Sequence, residues 1–194
     1  PTPYLLEVAD ADVDGASLRA ATQVVQVRYQ GELWFDEALS LQTTGKVLPG
    51  RVLPSQDSTT QPIATFTSAT GEALLLHEAA CRRVSADEVV LEAEWQTVSP
   101  LRGVPTVFVH WWSAEAVLLG QADGDPLGGL YPFAQWQAGE IVKETRVLRA
   151  KGPGGSRMTL GIWDPEIGAR WQAMNASGDR LAEDCYTLPP CTAP

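Results

Sequence analysis

The stretch EVVLEAEWQ, residues 88–96, sets Val89, Leu91, Ala93 and Trp95 on one side of an extended chain. Glu88, Glu92, Glu94 and Gln96 fall on the other side. A repeat of two is the signature of a half-buried strand, and it is incompatible with a helix, whose apolar stripe recurs every three to four residues. PTVFVHWW, residues 105–112, carries the same repeat, with Val107, Val109 and Trp111 opposed to Thr106, Phe108, His110 and Trp112. Apolar residues on both parities predict that both of its faces are covered. The two strands are expected to be neighbours near the centre of one sheet.

Further strands are predicted at 22–29 (Val25, Val27, Tyr29), 38–43, 63–67, 73–80, 116–122, 141–149 and 156–163, divided by Gly, Pro, Asp and Ser clusters. The best helical candidate, LWFDEALSLQ at 33–42, is too short to offer an apolar stripe over three turns. Short strands with frequent turn signals define an all-β chain, an antiparallel β-sandwich of jelly-roll or immunoglobulin-like topology with few or no helices. Three regions are expected. Residues 1–62 hold an N-terminal β segment and a Pro/Ser/Thr-rich loop at 45–62, residues 63–188 the main sandwich, and 189–194 a Pro-rich, poorly ordered tail.

The 194 residues suffice for a real core, and 44% hydrophobic content is that of a globular protein. A net charge of −10 with scattered Lys and Arg argues against a nucleic-acid surface, which needs clustered positive charge. The chain opens Pro-Thr-Pro, so it is read as a processed product or a piece of a longer polypeptide. No apolar run approaches the length that spans a bilayer. Of three cysteines, Cys185 and Cys191 bracket a short loop that a disulfide can close in an oxidising compartment, while Cys81 reads as a buried free thiol. Spacing alone does not set the Cα separation such a bond requires.

Metal sites find little support. DADVDG at 10–15 copies the start of an EF-hand loop, but Leu18 and Ala21 occupy the ninth and twelfth positions and the bidentate Glu is missing. The Asp123-Gly-Asp125 sequence in QADGDPLGGLYPFAQWQAGE could hold a divalent ion in a nucleotide-sugar site, yet no βαβ framework accompanies it. It suits a turn better, because Asp accepts backbone hydrogen bonds and Gly tolerates positive φ. Neither cofactor nor metal is expected. The two histidines, His77 and His110, sit in predicted strands away from any nucleophile elbow, so a triad is not expected either. Asn175-Ala-Ser177 fits the glycosylation sequon, a pattern that often arises by chance.

Seven tryptophans exceed what a core of this size needs, and an exposed indole is a stacking surface for sugars. Trp95 and Trp111 follow the apolar faces. Trp112, Trp136, Trp163 and Trp171, with Tyr131, are the surface candidates, and Asp123 and Asp125 stand near them in sequence. GIWDPEIGARW reads as a structural hairpin in which Pro165 fixes φ and Gly168 supplies the left-handed residue.

Taken in order, LEAEWQTVSPLRGVPTVFVHWW, LLGQADGDPLGGLYPFAQWQAGEIVKET and LGIWDPEIGARW resemble the soluble extracytoplasmic C-terminal domain of bacterial polytopic membrane proteins of the glycosyltransferase type, which use lipid-linked sugars and include mannosyltransferase-like members. The similarity spans residues 73–173 and rests on Gln121, Ala122, Asp123, Pro126, Gly129, Tyr131, Pro132, Trp136 and Gly139; HWWSAEAVLLG departs from it, where a polar turn is usual. The resemblance implies a non-catalytic accessory domain outside the cytoplasm, tethered through segments outside this chain, with the membrane-embedded portion of the same polypeptide as partner. A glycan ligand on Trp112, Tyr131, Trp136 and Trp163, with Asp123 and Asp125 as its polar contacts, is the expected binding function. The alternatives are a structural or protein-interaction sandwich and, last, a glycoside-active enzyme with two carboxylates.

Overall fold

The computed structural model describes residues 61–192 except 130–131 and 152–154, together with the backbone of four earlier strands. Those four are β1 (Tyr4–Val8), β2 (Gln23–Tyr29), β3 (Glu32–Leu39) and β4 (Gly50–Leu53). β5 (Ala64–Thr67), β6 (Ala73–Arg83), β7 (Glu88–Thr97), β8 (Thr106–Ser113) and β9 (Leu118–Gln121) follow. β10 (Ile141–Arg149), β11 (Gly155–Asp164), β12 (Ala169–Arg170), β13 (Gln172–Asn175) and β14 (Tyr186–Thr187) complete the order. Helical structure among the described residues is confined to short 3-10 turns such as Pro126–Gly129 and Ala182–Asp184.

One sheet runs β13-β5-β6-β7-β10-β4-β1-β2-β3 and the other β12-β11-β8-β9, with β14 on β11. All strand pairs are antiparallel. The all-β sandwich is therefore the fold. LWFDEALSLQ lies largely in a strand, the strand expected at 38–43 is Glu32–Leu39, and Gly50–Leu53 interrupts the loop expected at 45–62.

The expected pairing of 88–96 with 106–112 is wrong. β7 belongs to the larger sheet and β8 to the smaller. Their connection, residues 98–105 with Pro100, Pro105 and Gly103 at φ +76°, crosses between the sheets. Each strand then presents its apolar parity to the other across the core, where Trp95 joins Val107, Val109 and Trp111 in a single buried cluster. Alternation specifies which face is buried and leaves the partner open.

Trp136 and Trp171 correct the surface assignment, since each is only 2% exposed. Phe133 and Trp136 meet at 4.7 Å between ring centroids, brought inward by the turn Phe133–Gln135. Burial of roughly 200 Å² at about 25 cal/mol per Å² makes each such indole worth on the order of 5 kcal/mol before entropic costs, so tryptophan abundance here serves the core.

The cysteines pair differently from the expectation. Cys81 is joined to Cys191, and Cys185 is the buried free thiol. Burial, the dominant influence on it, raises the Cys185 pKa and disfavours the reactive thiolate. The tail expected to be poorly ordered is thus tied to the sheet through Cys191 and Thr192. β5 pairs only with Ala73–Leu76 of β6, and further along that strand Thr192 forms a parallel bridge to Arg82, donating its N–H to Cys81 O at 3.0 Å. The C-terminal segment supplies partners to backbone that the short β5 does not reach. Arg83 extends the closure across the sandwich, its guanidinium 5.4 Å from the Trp111 ring and bonded to Gly155 O. A Cβ on Gly155 would lie 1.9 Å from Trp111 Nε1, so only glycine permits this approach.

Candidate functional site

The outward parity of β8 builds an aromatic row on the outer face of the smaller sheet. Phe108 and His110 have centroids 5.0 Å apart, and His110 meets Trp112 edge-on at 5.5 Å. Arg170 lies over Phe108 at 4.7 Å and Arg157 over Trp112 at 5.8 Å, so a guanidinium flanks each end. Trp112 is half-buried and donates its Nε1–H to Thr159 Oγ1 at 2.9 Å, which fixes the indole across β11.

Asp123 enters from the end of β9. Its Oδ1 accepts the Val109 N–H at 3.0 Å, standing in for a ladder carbonyl where β9 ends. Its Oδ2 lies 3.4 Å from His110 Nε2 and 3.3 Å from Gln121 Nε2. His110 Nδ1 is buried and meets no partner among the described residues, so the Nε2 side carries the interaction with Asp123. The group is therefore a carboxylate, an amide and an imidazole beside an indole, accessible at its edge.

A buried ion pair holds this loop from below. Glu144 and Arg146 share the inward parity of β10 with Val142 and Leu148, and Arg146 Nη2 meets Glu144 Oε2 at 2.9 Å. Trp95 Nε1–H donates to Glu144 Oε1 at 2.9 Å. The Arg146 fork then reaches Ala122 O at 2.8 Å and Gly124 O at 3.0 Å, while Gly124 donates its N–H to Val107 O. Gly124 has φ 145°, a conformation side-chain-bearing residues rarely adopt. The Asp-Gly-Asp sequence is thus a clamped turn. Asp125 is half-buried and leads into the Pro126–Gly129 turn.

Trp163 is 39% exposed and lies on the same face, opposite Thr106 and Arg170. It stands six residues along β11 from Arg157, a span of about 20 Å, so it and Trp112 mark opposite ends of the face. Tyr131 and the acidic stretch 10–15 lie outside the described residues. Among the described residues no group of three or more His, Cys, Asp or Glu side chains is placed to hold a metal ion. Sequence reasoning passed over His110, Thr159, Arg157 and Arg170. The parity of β8 signals His110, whereas the cross-strand register that brings in the others has no mark in the sequence.

The end of the row near Phe108 is covered by a strained turn. Glu183 and Asp184 have φ 55° and 49°, left-handed values that cost non-glycine residues roughly 1–3 kcal/mol each. Arg170 Nη1 donates to Glu183 O, and Arg180 holds both oxygens of Asp184 at 2.9 and 2.7 Å. The hydrogen bonds from Arg180 hold the Asp184 carboxyl below its usual range, against a smaller opposing effect of burial. A carboxylate whose pKa is lower folded than unfolded contributes stability above its unfolded value, about 3.9, that is lost as pH falls through the folded one. Stability measured by urea unfolding is expected to decline below about pH 4. Arg180→Gln should flatten part of that decline, and an unchanged slope would remove the pair from this role.

A separate depression of about 400 Å³ is lined by Thr70, Gly71, Glu72, Ser99, Pro100 and Arg102. Burial pushes the Glu72 carboxyl up, but hydrogen bonds from Thr70 Oγ1, the Arg102 N–H and Ser68 Oγ outweigh it and the net shift is downward. A carboxylate committed to three donors is poorly suited to proton transfer. Asn175 accepts the Ser177 and Asp179 N–H groups and so shapes a turn. No family model matches the chain, and neither a curated protein nor a solved structure matches it.

Proposed function

We propose that this chain is a non-catalytic, extracytoplasmic accessory domain that binds glycan on the outer face of its smaller sheet. The observation that carries the reading is the half-buried His110-Trp112 pair with Asp123 and Gln121 beside it; Phe108, at the covered end of the row, is only 4% exposed and supports the pair from within. The face of an indole packs against the C–H face of a sugar, and a carboxylate and an amide side by side accept from and donate to adjacent hydroxyls. Trp163 extends the surface toward a chain-like ligand. The disulfide supports an oxidising compartment, and among the described residues no helix is long and apolar enough to cross a membrane. Service to a membrane glycosyltransferase-like polypeptide rests on the resemblance over residues 73–173.

Screening the folded domain on a glycan array, followed by calorimetry on the best ligand, tests the reading. Trp112→Ala is expected to weaken binding at least tenfold, about 1.4 kcal/mol, with the unfolding midpoint recorded as a control. Equal binding by this variant, or no glycan bound by the parent domain, would overturn it.

A protein-interaction role is favoured by a different surface. Val98, Val104 and Ile167 are exposed on loops at one end of the sandwich, where a Cβ on Gly103 would lie 3.2 Å from Glu166. Loss of a binding partner on Val104→Ser, Ile167→Ser substitution, with glycan binding absent, would support that role instead.

A further inference from the structure

We propose that the aromatic row selects acidic sugars, with Arg157 as the residue that reads a uronate carboxylate. The inference rests on the glycan reading of the same face and adds the ligand's charge. The chain carries a net charge of −10, and four of the eight arginines among its described residues are spent on ion pairs. Arg146, Arg149, Arg170 and Arg180 pair with Glu144, Glu88, Glu183 and Asp184. Arg157 is exposed, and no carboxylate lies within ion-pair distance of it among the described residues. Arg82, Arg83 and Arg102 also lack an ion pair there; Arg83 lies over Trp111, but its guanidinium is bonded to Gly155 O, and neither Arg82 nor Arg102 lies over an aromatic ring among the described residues.

The position of Arg157 gives its charge a use. Its guanidinium lies 5.8 Å from the Trp112 ring centroid, and among the described residues its N–H groups meet no carboxylate, which leaves the planar fork open to a ligand. That fork matches a carboxylate with two parallel hydrogen bonds. Arg157 is on β11, to one side of β8, and Gln121 on β9, to the other, so Trp112 on β8 stands between the strand of Arg157 and the strand of Gln121, which with Asp123 and His110 offers hydrogen bonds to uncharged hydroxyls. A sugar packed at the indole can therefore direct a carboxylate to one side and hydroxyls to the other. A phosphate, with up to two negative charges, meets stronger repulsion from Asp123 and from the whole acidic chain, so the singly charged uronate is the class that fits.

Calorimetry against a panel of uronate trimers and their carboxyl-reduced neutral counterparts tests the assignment. The parent domain is expected to bind at least one acidic trimer fivefold or more tightly than its neutral partner. Arg157→Gln should bring the two to within twofold while retaining affinity for the neutral trimer, and Trp112→Ala should lose both. Neutral trimers bound as tightly as acidic ones, or an acidic preference that survives Arg157→Gln, would overturn the uronate assignment and leave the glycan reading standing. Absence of binding to every trimer would overturn the assignment, and absence on the wider glycan array would remove the reading beneath it.

Discussion

Cys81→Ser is expected to unfold at a markedly lower urea concentration than the parent domain, with a loss of about 4–5 kcal/mol. The bond joins residues 110 apart, so its removal frees a long loop in the unfolded chain, and the entropic gain to that state grows with the logarithm of loop length. The native state loses in parallel, because Cys191 positions Thr192 against β6. Cys191→Ser should behave alike. Cys185→Ala removes a thiol whose recorded contact is a long one to Ala182 O, and should cost under about 1.5 kcal/mol. Unfolding curves with and without reductant, together with a non-reducing peptide map, check the pairing. A midpoint indifferent to reductant, or a Cys185–Cys191 peptide, would refute it.

Local pattern was legible in the sequence where one residue's parity decides one face. The alternation of 88–96 identified Val89, Leu91, Ala93 and Trp95 as core, and all four are buried. Trp136 was misread because it lies outside any alternating stretch, in a turn whose direction depends on packing against Phe133. The cysteine pairing was hidden for a related reason. Cys81 and Cys191 meet only because β6 outruns β5, a mismatch of strand lengths settled by tertiary contacts. The site was half legible. Trp112, Trp163 and Asp123 came from residue type, while Arg157 and Thr159 reach Trp112 through the β8–β11 register, which depends on the whole sheet.

The buried pair beneath the site leads to the second large effect. IVKETRVLR places Glu144 and Arg146 on the parity of Val142 and Leu148, so the alternation itself announces two opposite charges facing the core. Arg146→Met leaves Glu144 charged and enclosed, and breaking such a pair from one side costs about 3–5 kcal/mol. It also strips Ala122 O and Gly124 O of their donors. Arg146→Lys separates the two consequences. The ammonium keeps the charge near Glu144 but has no planar fork to reach both carbonyls, so stability should fall less while the turn still loosens. Hydrogen exchange reads the turn directly, because the Val109 N–H is held by Asp123 and the Gly124 N–H by Val107 O. In Arg146→Lys both amides should exchange at least tenfold faster relative to amides on β6 and β7, and glycan affinity should fall with them. Uniform acceleration across the sheets would mean that Arg146 stabilises the sandwich as a whole and does not position Asp123. A selective change would tie the core ion pair to the placement of the Asp123 carboxylate.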